Sequence, residues 1–395
     1  MLKTQYQKQF VLGLILLTTV LNGIGMDIYA PSLPAISDYF NADQSLAKLT
    51  VTTYILGFAI GQLLMGPLCD SFGRRRILLI GLIAYTIASV LVVFSPDINF
   101  MLAMRLLQGI AAAAGSVIAK TIASDYFTGN DLRKVTNYMV VAWTISPLLA
   151  PVLGGYLQNY VGWQAGFILL ALYAALLVVI IYLYLPETQK HIIKFNTTTI
   201  ASNYRSILTH KTFLAYVLCI TFTGSLVVVF STMSPFLIQK TLAYSPVAYG
   251  YIVLLIGSGC FVGSLINSAL IKKLTPDQAI IYAIISLVVT ELLFVIISAF
   301  IEPNLFVLIL FVFVSLTCVY LIYPNCMMQY MHLFPMMGGS NNASSGFLTS
   351  LGIAFATLVA SLLGTKTMLP LALIFLSLAL ISALVYFYFI NSVEQ

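Results

Sequence analysis

The chain has 395 residues, of which 61% are hydrophobic and 8% charged, and its 18 Lys and Arg outnumber 12 Asp and Glu for a formal charge of +6. A soluble domain carries about 25% charged residues, so this composition excludes a water-soluble enzyme or binding module and indicates a chain that lives in lipid. The basicity is no nucleic-acid footprint, because the cations are dispersed among loops and tails instead of forming one patch.

A helix needs about 20 apolar residues to cross about 30 Å of hydrocarbon. Twelve such runs begin near Phe10, Leu46, Ile77, Ile98, Val135, Trp163, Thr212, Val247, Ala279, Leu305, Gly338 and Met368, which leaves no room for a soluble domain. Backbone polar groups in lipid must be satisfied within the segment, so the runs are helices and the fold is all-α. Lys3 and Lys8 precede the first run like the start of a secretory signal. The run continues to Ala30 without a small-x-small cleavage site, so it reads as an uncleaved first span.

The first span carries Asn22, Gly23 and, late in its course, Asp27. The second carries Tyr54 and ends in Gly66-Pro67-Leu68-Cys69-Asp70-Ser71-Phe72-Gly73-Arg74-Arg75-Arg76, an acid, a turn and three cations between two apolar runs. A topology anchor on anionic headgroups would account for the arginines. It leaves Asp70 and the spacing of Gly66 and Gly73 without a reason. In the fourth span Gln108 follows Arg105 by one turn and shares its face. A charge near mid-bilayer costs a few kcal/mol and normally faces a partner or a cavity. Burial favours the protonated form of Asp27 and a nearby Arg105 the ionised form, so their approach and separation could bind and release a proton. A static ion pair is the alternative. The fifth span holds Tyr138, then Pro147, Pro151, Gly154 and Gly155, which fit a kinked seam between bundles or an ordinary kinked membrane helix.

After the sixth span the longest polar stretch runs from Pro186 to Lys211 and divides the spans six and six. The expected units are residues 1–189, a linker at 190–211, and residues 212–395, with a substrate site where the halves meet near mid-membrane. The loop after the eighth span, Gly263 to Lys273, repeats the small residues and basic end of the earlier one, with Asn267 where the acid would be. Glu291 in the ninth span reads as a structural partner ahead of a substrate contact. Asn325, Asn341 and Asn342 could line a cavity, as could Asn22, Tyr54, Gln108 and Tyr138, although each alone is more often an interhelical hydrogen bond.

Of the cations, Lys48, Lys240 and Lys366 fall in one set of alternate loops, Arg105 lies inside a span, and the other fourteen, Lys190, Lys194 and Lys272 among them, occupy the opposite side. The positive-inside rule places both termini in the cytoplasm. Cys69, Cys219, Cys260, Cys318 and Cys326 read as small packing residues, and His191, His210 and His332 as solvated. There is no nucleotide-binding loop, metal-ligand cluster or catalytic triad. The chain is therefore expected to be no enzyme, to need no cofactor, and to draw on an ion gradient.

The loop from Gly66 to Arg76 resembles the signature loop of the major facilitator superfamily. Arg105-Leu106-Leu107-Gln108-Gly109 is similar to its R-x-x-Q-G motif, and Ser146 to Gly155 to its antiporter signature. Asp27-Ile28-Tyr29-Ala30-Pro31 with Pro34, Pro186-Glu187-Thr188, and Tyr323-Pro324-Asn325 resemble the bicyclomycin and chloramphenicol resistance-type branch of proton-driven drug exporters. Gln164 after Gly162-Trp163 and Ser124 before Asp125 depart from that branch, which tends to have basic residues there. The resemblance implies twelve transmembrane helices in two six-helix bundles, in the inner membrane of a bacterium. It further implies proton-coupled export of small amphipathic compounds by a chain acting as a monomer among membrane lipids. Asp27 and Arg105 would couple protons, and Gly66, Asp70, Gly73 and Arg74 would form a conformational gate. An apolar, aromatic interior favours lipophilic or weakly polar cargo. A dedicated metabolite or siderophore transporter of the same fold, and a membrane receptor that moves nothing, remain alternatives.

Overall fold

The computed structural model describes residues 5–189, 197–271, 273–334 and 338–391. Lys3, Lys190, His191, Lys194 and Lys272, and with them the first part of the expected linker, lie outside the described residues. The helices are α1 (Gln5–Asp27), α2 (Leu33–Tyr39), α3 (Gln44–Phe72), α4 (Arg74–Val93), α5 (Ile98–Tyr126), α6 (Gly129–Tyr160) and α7 (Gln164–Tyr184). They continue as α8 (Thr197–Leu208), α9 (Lys211–Phe236), α10 (Pro246–Leu270), α11 (Pro276–Phe300), α12 (Leu305–Leu333), α13 (Gly338–Leu362) and α14 (Leu369–Asn391). α1 and α2 together make one span, and α8 lies between the halves. Twelve membrane-spanning helical segments result.

Local chemistry sets the ends. Asp97, Ser245 and Asn304 cap α5, α10 and α12, and Thr275 with Gln278 forms a capping box at α11. Each supplies an acceptor to N–H groups that have no partner inside the helix. Pro31 and Pro34 have no N–H and break the first span, so that α1 stops at Asp27 and a short 3-10 turn at Ala30–Ser32 leads into α2. The acid therefore sits at a helix end inside the membrane.

Two hydrophobic cores form. One gathers buried residues from Val11 to Leu185 and the other from Ile207 to Tyr386. Phe236 and Ala354 of the second half pack into the first core. Within the first bundle α3 and α5 approach so closely that a Cβ on Gly109 would run into the Tyr54 carbonyl oxygen. Small residues at such crossings let helix backbones pack where lipid offers no hydrophobic driving force.

Two sequence expectations need correction here. The segment from Gly66 to Arg76 is almost entirely helical: α3 runs through Pro67 to Phe72, Gly73 alone turns the chain at φ 93°, and α4 begins at Arg74. Only glycine takes that backbone conformation without strain. Lys120, counted above among loop cations, lies inside α5. A flexible apolar stem lets lysine occupy such a position, so the run's end is not marked by its first cation.

We call the end bearing both helical termini and Arg74 to Arg76 the basic end, and the opposite one the distal end. The bundles meet along two seams. On the α3–α13 seam the contacts descend from Gln44 with Thr365, through Thr52 with Thr357 at 3.1 Å, to Gln62 with Ser350 at 2.9 Å. On the α6–α10 seam Gly155 abuts the Pro246 carbonyl, Gly250 abuts Pro151, and Gly257 abuts Leu148. Before Pro147, most of α6 is exposed. The halves are closed at the distal end and open a cleft toward the basic end.

Candidate functional site

Arg105 is fully buried. Its guanidinium lies between the rings of Tyr29 and Tyr54, 4.2 Å from each centroid, with Phe167 at 5.6 Å. Its Nε donates to the Thr50 carbonyl at 3.3 Å, and Nη1 donates to Gln108 Oε1 at 2.5 Å. Gln108 in turn donates to Ser89 Oγ at 2.7 Å. The sequence paired Arg105 with Gln108 correctly, since both are on one turn of α5. Tyr29 and Tyr54 belong to other segments and were not paired with it.

Asp27 is half-buried and accepts a hydrogen bond from Ser231 Oγ at 2.9 Å. Ser231 is on α9, so this bond crosses from the first bundle to the second at the apex of the cleft. Among the described residues no ion pair joins Asp27 to Arg105; the arginine is occupied by aromatic faces and the acid by a serine. Asp27 and Arg105 are nonetheless neighbours of the same tyrosine, Tyr54.

The signature loop is knitted within the first bundle. Arg74 pairs with Asp125 at the end of α5, and its other guanidinium nitrogen lies 3.7 Å from Asp70. Thr188 Oγ1 donates to the same Asp125 carboxylate at 2.9 Å, and Gln189 Nε2 donates to the Asp70 carbonyl at 3.2 Å. Glu187 Oε1 accepts from the backbone N–H groups of Arg74, Thr188 and Gln189 at 2.9, 2.9 and 3.0 Å. A carboxylate at the start of α4 satisfies orphan N–H groups and the positive end of the helix dipole. The Pro-Glu-Thr after the sixth span thus has a physical role: Glu187 and Thr188 clamp the far side of the loop. A Cβ on Gly73 would press on Glu187, and Gly66 has open space around it.

The counterpart loop is also engaged, with a neutral pair. Asn325 on α12 donates to Asn267 Oδ1 on α10 at 2.7 Å. Asn325 therefore braces two helices of one bundle and does not line the cleft. The same correction applies to Asn22, which is buried between α1 and α5 and donates to the Thr18 carbonyl at 3.1 Å. Tyr54 and Gln108 are buried around Arg105. Tyr138 is exposed, but on the face of α6 that also exposes Ile145, Leu149 and Leu153, so it looks to lipid. Asn342 is exposed near the start of α13. Apolar periodicity could not sort these positions, because lipid and protein interior are both apolar.

Pro147, Pro151, Gly154 and Gly155 line the side of α6 that bears both neighbours. Ser146 and Pro147 touch Gly23 of α1, a Cβ on Gly154 would enter the Ile28 carbonyl, and one on Gly155 the Pro246 carbonyl of α10. This segment is the hinge side of the seam. Nearer the basic end, Gly129, Leu132, Arg133, Thr136 and Asn137 of the same helix line an open groove of about 550 Å³.

Two further groups, marked in the sequence only as loop cations, make contacts between the bundles. Lys48 is buried, donates to the Leu363 carbonyl at 2.6 Å and lies 5.6 Å from the Phe236 ring. It closes the distal end by capping the C-terminus of α13, where helix carbonyls lack partners. Lys240 pairs with Asp38 at 2.5 Å, and Gln239 donates to the Pro31 carbonyl at 2.9 Å, on the same face. Glu291 is buried in the second core and accepts from Ser315 of α12 at 2.5 Å, an interhelical partner as expected. Among the described residues there is no cluster of His, Cys, Asp and Glu that could hold a metal.

The family model described as Major Facilitator Superfamily matches residues 15–357. YdgK of Bacillus subtilis, named an uncharacterized MFS-type transporter, is 29% identical over 393 residues, 96% of this chain and 94% of that one. A bicyclomycin resistance protein homolog of Haemophilus influenzae is 26% identical, covering 97% of this chain and 96% of the relative. The chloramphenicol resistance protein CraA of Acinetobacter baumannii is 28% identical over 65% of this chain and 62% of its own length. Among solved structures, a D-xylose-proton symporter superposes with a TM-score of 0.75 at 15% identity, over 95% of this chain and 97% of the other.

Proposed function

The chain belongs to the Major Facilitator Superfamily, and from that premise we propose that it exports small amphipathic compounds across a bacterial inner membrane in exchange for protons, by alternating access. It is a multi-pass membrane protein and a transporter, not an enzyme. The observation that carries the finer reading is the bond between Asp27 and Ser231, at the apex of the cleft, where a titratable group of one bundle holds the other. The resistance proteins among its relatives support export of drug-like cargo.

An ionised Asp27 accepts a charge-assisted bond from Ser231, which is roughly twice as strong as a neutral one. Protonation removes that charge and loosens the contact between bundles. With the basic end in the cytoplasm, the open cleft admits cargo from inside while Asp27 releases its proton there. Bound cargo drives rocking about the α6–α10 seam against the Asp27–Ser231 bond and opens the distal end, where Asp27 is reprotonated, the bond is not remade at full strength, and the cargo leaves. The Arg105 cage keeps a fixed positive charge near this acid, so Asp27 can ionise without a full partner. Asp70 and Arg74 act as the gate at the basic end, from the first bundle.

The test is transport in proteoliposomes with an imposed pH gradient, paired with a drug susceptibility and accumulation screen in cells with and without the gene. Cargo should move against the proton flux, and collapsing the gradient should abolish the difference between strains. Asp27→Asn should remove the dependence on the gradient. Full gradient-driven transport by that variant would overturn the assignment.

A further inference from the structure

The two seams between the bundles are closed to different depths. On the α3–α13 side the contacts run from Gln44 to Gln62, about 27 Å of helix at 1.5 Å per residue. A Cβ on Gly346 would run into the Gln62 side chain, and Tyr204 of α8 donates to the neighbouring Leu63 carbonyl at 3.2 Å. That side is shut through most of the hydrocarbon thickness. On the α6–α10 side the contacts of α6 run only from Gly155 to Leu148, about 10 Å of helix. The apolar stretch of α6 from Val135 to Gly155 accounts for about 30 Å, the whole hydrocarbon, so this seam parts near mid-membrane.

Beyond that point each helix is buried only against its own bundle. Between Asp131 and Ile145 the buried residues of α6 are Val135 and Met139, one turn apart, and both join the first core. After Gly257 the buried residues of α10 are Gly259, Cys260, Gly263 and Asn267, and each lies against α12. The stripes that meet at Leu148 and Gly257 continue toward the basic end, at 3.6 residues per turn, through Thr144 and Val141 on α6 and through Phe261, Ser264 and Ser268 on α10. Val141 is 52% and Phe261 61% exposed, which two helices in contact would not allow. Along the closed part of the seam Tyr156 and Tyr251 bond at 2.9 Å and are both exposed, marking the edge that looks to lipid. Below them the wall of the cleft has a slot, at the depth of the acyl chains of the basic-end leaflet.

We propose that the slot between α6 and α10 is a lateral portal, through which an uncharged amphiphile already dissolved in the basic-end leaflet enters the cleft. The proposal rests on the transporter reading and adds to it the route and the charge of the cargo. Neither α6 from Val135 to Tyr160 nor α10 carries a Lys, Arg, Asp or Glu. A charged molecule passing between them at this depth would have no partner and would bear the cost of a few kcal/mol that lipid imposes on a charge. Thr144, Ser264 and Ser268 donate to carbonyls of their own helices at 2.9, 2.9 and 3.0 Å. Their hydroxyl protons are spent, but each oxygen keeps a lone pair that can accept. The walls of the slot therefore suit a neutral cargo with an N–H or O–H donor and an apolar body, and Val141 and Phe261 supply the apolar contact. Entry on this side leads to the apex where Asp27 meets Ser231.

The experiment is photolabelling of the full chain in nanodiscs with a phospholipid that carries an aryl diazirine amide at the end of one acyl chain, a probe that cannot arrive through water. Adducts are located by mass spectrometry of the peptides, with and without excess 2-naphthamide. The tethered group should label Val141 and Phe261 and also the segments holding Asp27 and Ser231, and 2-naphthamide should suppress the labelling at the apex. Leu172, exposed on α7, should be labelled equally in both conditions and serves as the internal standard. Val141→Trp, which narrows the slot, should lower labelling at the apex relative to Leu172. Labelling confined to outward faces such as Leu172, or apex labelling untouched by Val141→Trp, would overturn the portal. Apex and slot labelling that 2-naphthamide does not reduce would show a lipid chain resident in the gap and would equally overturn it as a cargo route. Those outcomes leave the exporter reading to its own test, which fails only when gradient-driven movement of cargo is absent.

Discussion

Arg105 shows how the membrane interior tolerates a permanent charge. Inserting arginine at the centre of a spanning helix costs about 3 kcal/mol on translocon scales. A desolvated cation–π contact returns about 2 kcal/mol, and the arginine has two rings at 4.2 Å plus two hydrogen bonds. The cage therefore covers the insertion cost without a carboxylate, which leaves Asp27 free to hold Ser231. The planar fork is what permits stacking on both faces, and an ammonium cannot reproduce it. Arg105→Lys should thus reduce gradient-driven transport by at least about tenfold although the charge is kept, measured at matched protein levels in proteoliposomes. Near-normal transport would mean that charge alone matters there. For Glu291, a role confined to bracing α11 on α12 predicts that Glu291→Gln keeps transport within about twofold, since the amide oxygen still accepts from Ser315.

At the scale of elements, the working parts are helix ends and close crossings. α1 ends at Asp27 because two prolines follow, α4 begins on Glu187, and α13 ends on Lys48. Each unsatisfied helix terminus has been made a point of contact with another segment. Glu187→Gln should weaken the α4 cap by about 0.5–1 kcal/mol, read as a lower unfolding midpoint in detergent with little change in cargo binding. The α6 seam is less forgiving. A side chain at Gly154 or Gly155 meets a carbonyl oxygen of Ile28 or Pro246, and cannot be absorbed by a rotamer change. Gly155→Leu should stop transport by holding the bundles apart at the distal end, while each bundle still folds; spin labels across the seam should report the separation. An unchanged distance with lost activity would point instead to misfolding of α6.

For the whole molecule, the balance between access states is set by contacts at the two ends. This structure is closed at the distal end by Lys48, Gln44, Asp38 and Lys240, while the ion pairs of Asp70 and Arg74 at the basic end, among the described residues, lie within their own bundle. Removing a distal contact should therefore shift the population toward the opposite state. Lys48→Met keeps the apolar stem and deletes the bond to the Leu363 carbonyl, a charged hydrogen bond worth about 1.5–3 kcal/mol. Labelling of a cysteine placed at Asn137, inside the open cleft, should slow about tenfold in that variant. Faster labelling would show that Lys48 favours the other state.

The sequence by itself determined the membrane, the count of spans, the division into two sets of six, and the Arg105–Gln108 pair. All of these depend on composition, run length or spacing within one helix. It also marked Asp27, Asp70 and Arg74 as groups that need partners, because charges in an apolar chain stand out. Who those partners are was decided by tertiary structure alone. Ser231 lies 204 residues from Asp27, Leu363 lies 315 from Lys48, and Glu187 lies 113 from Arg74. Nor could the pattern tell that Tyr138 faces lipid or that Asn22 and Asn325 brace helices. Lipid and core select the same apolar residues, so in a membrane the direction of a side chain is set by how the helices pack.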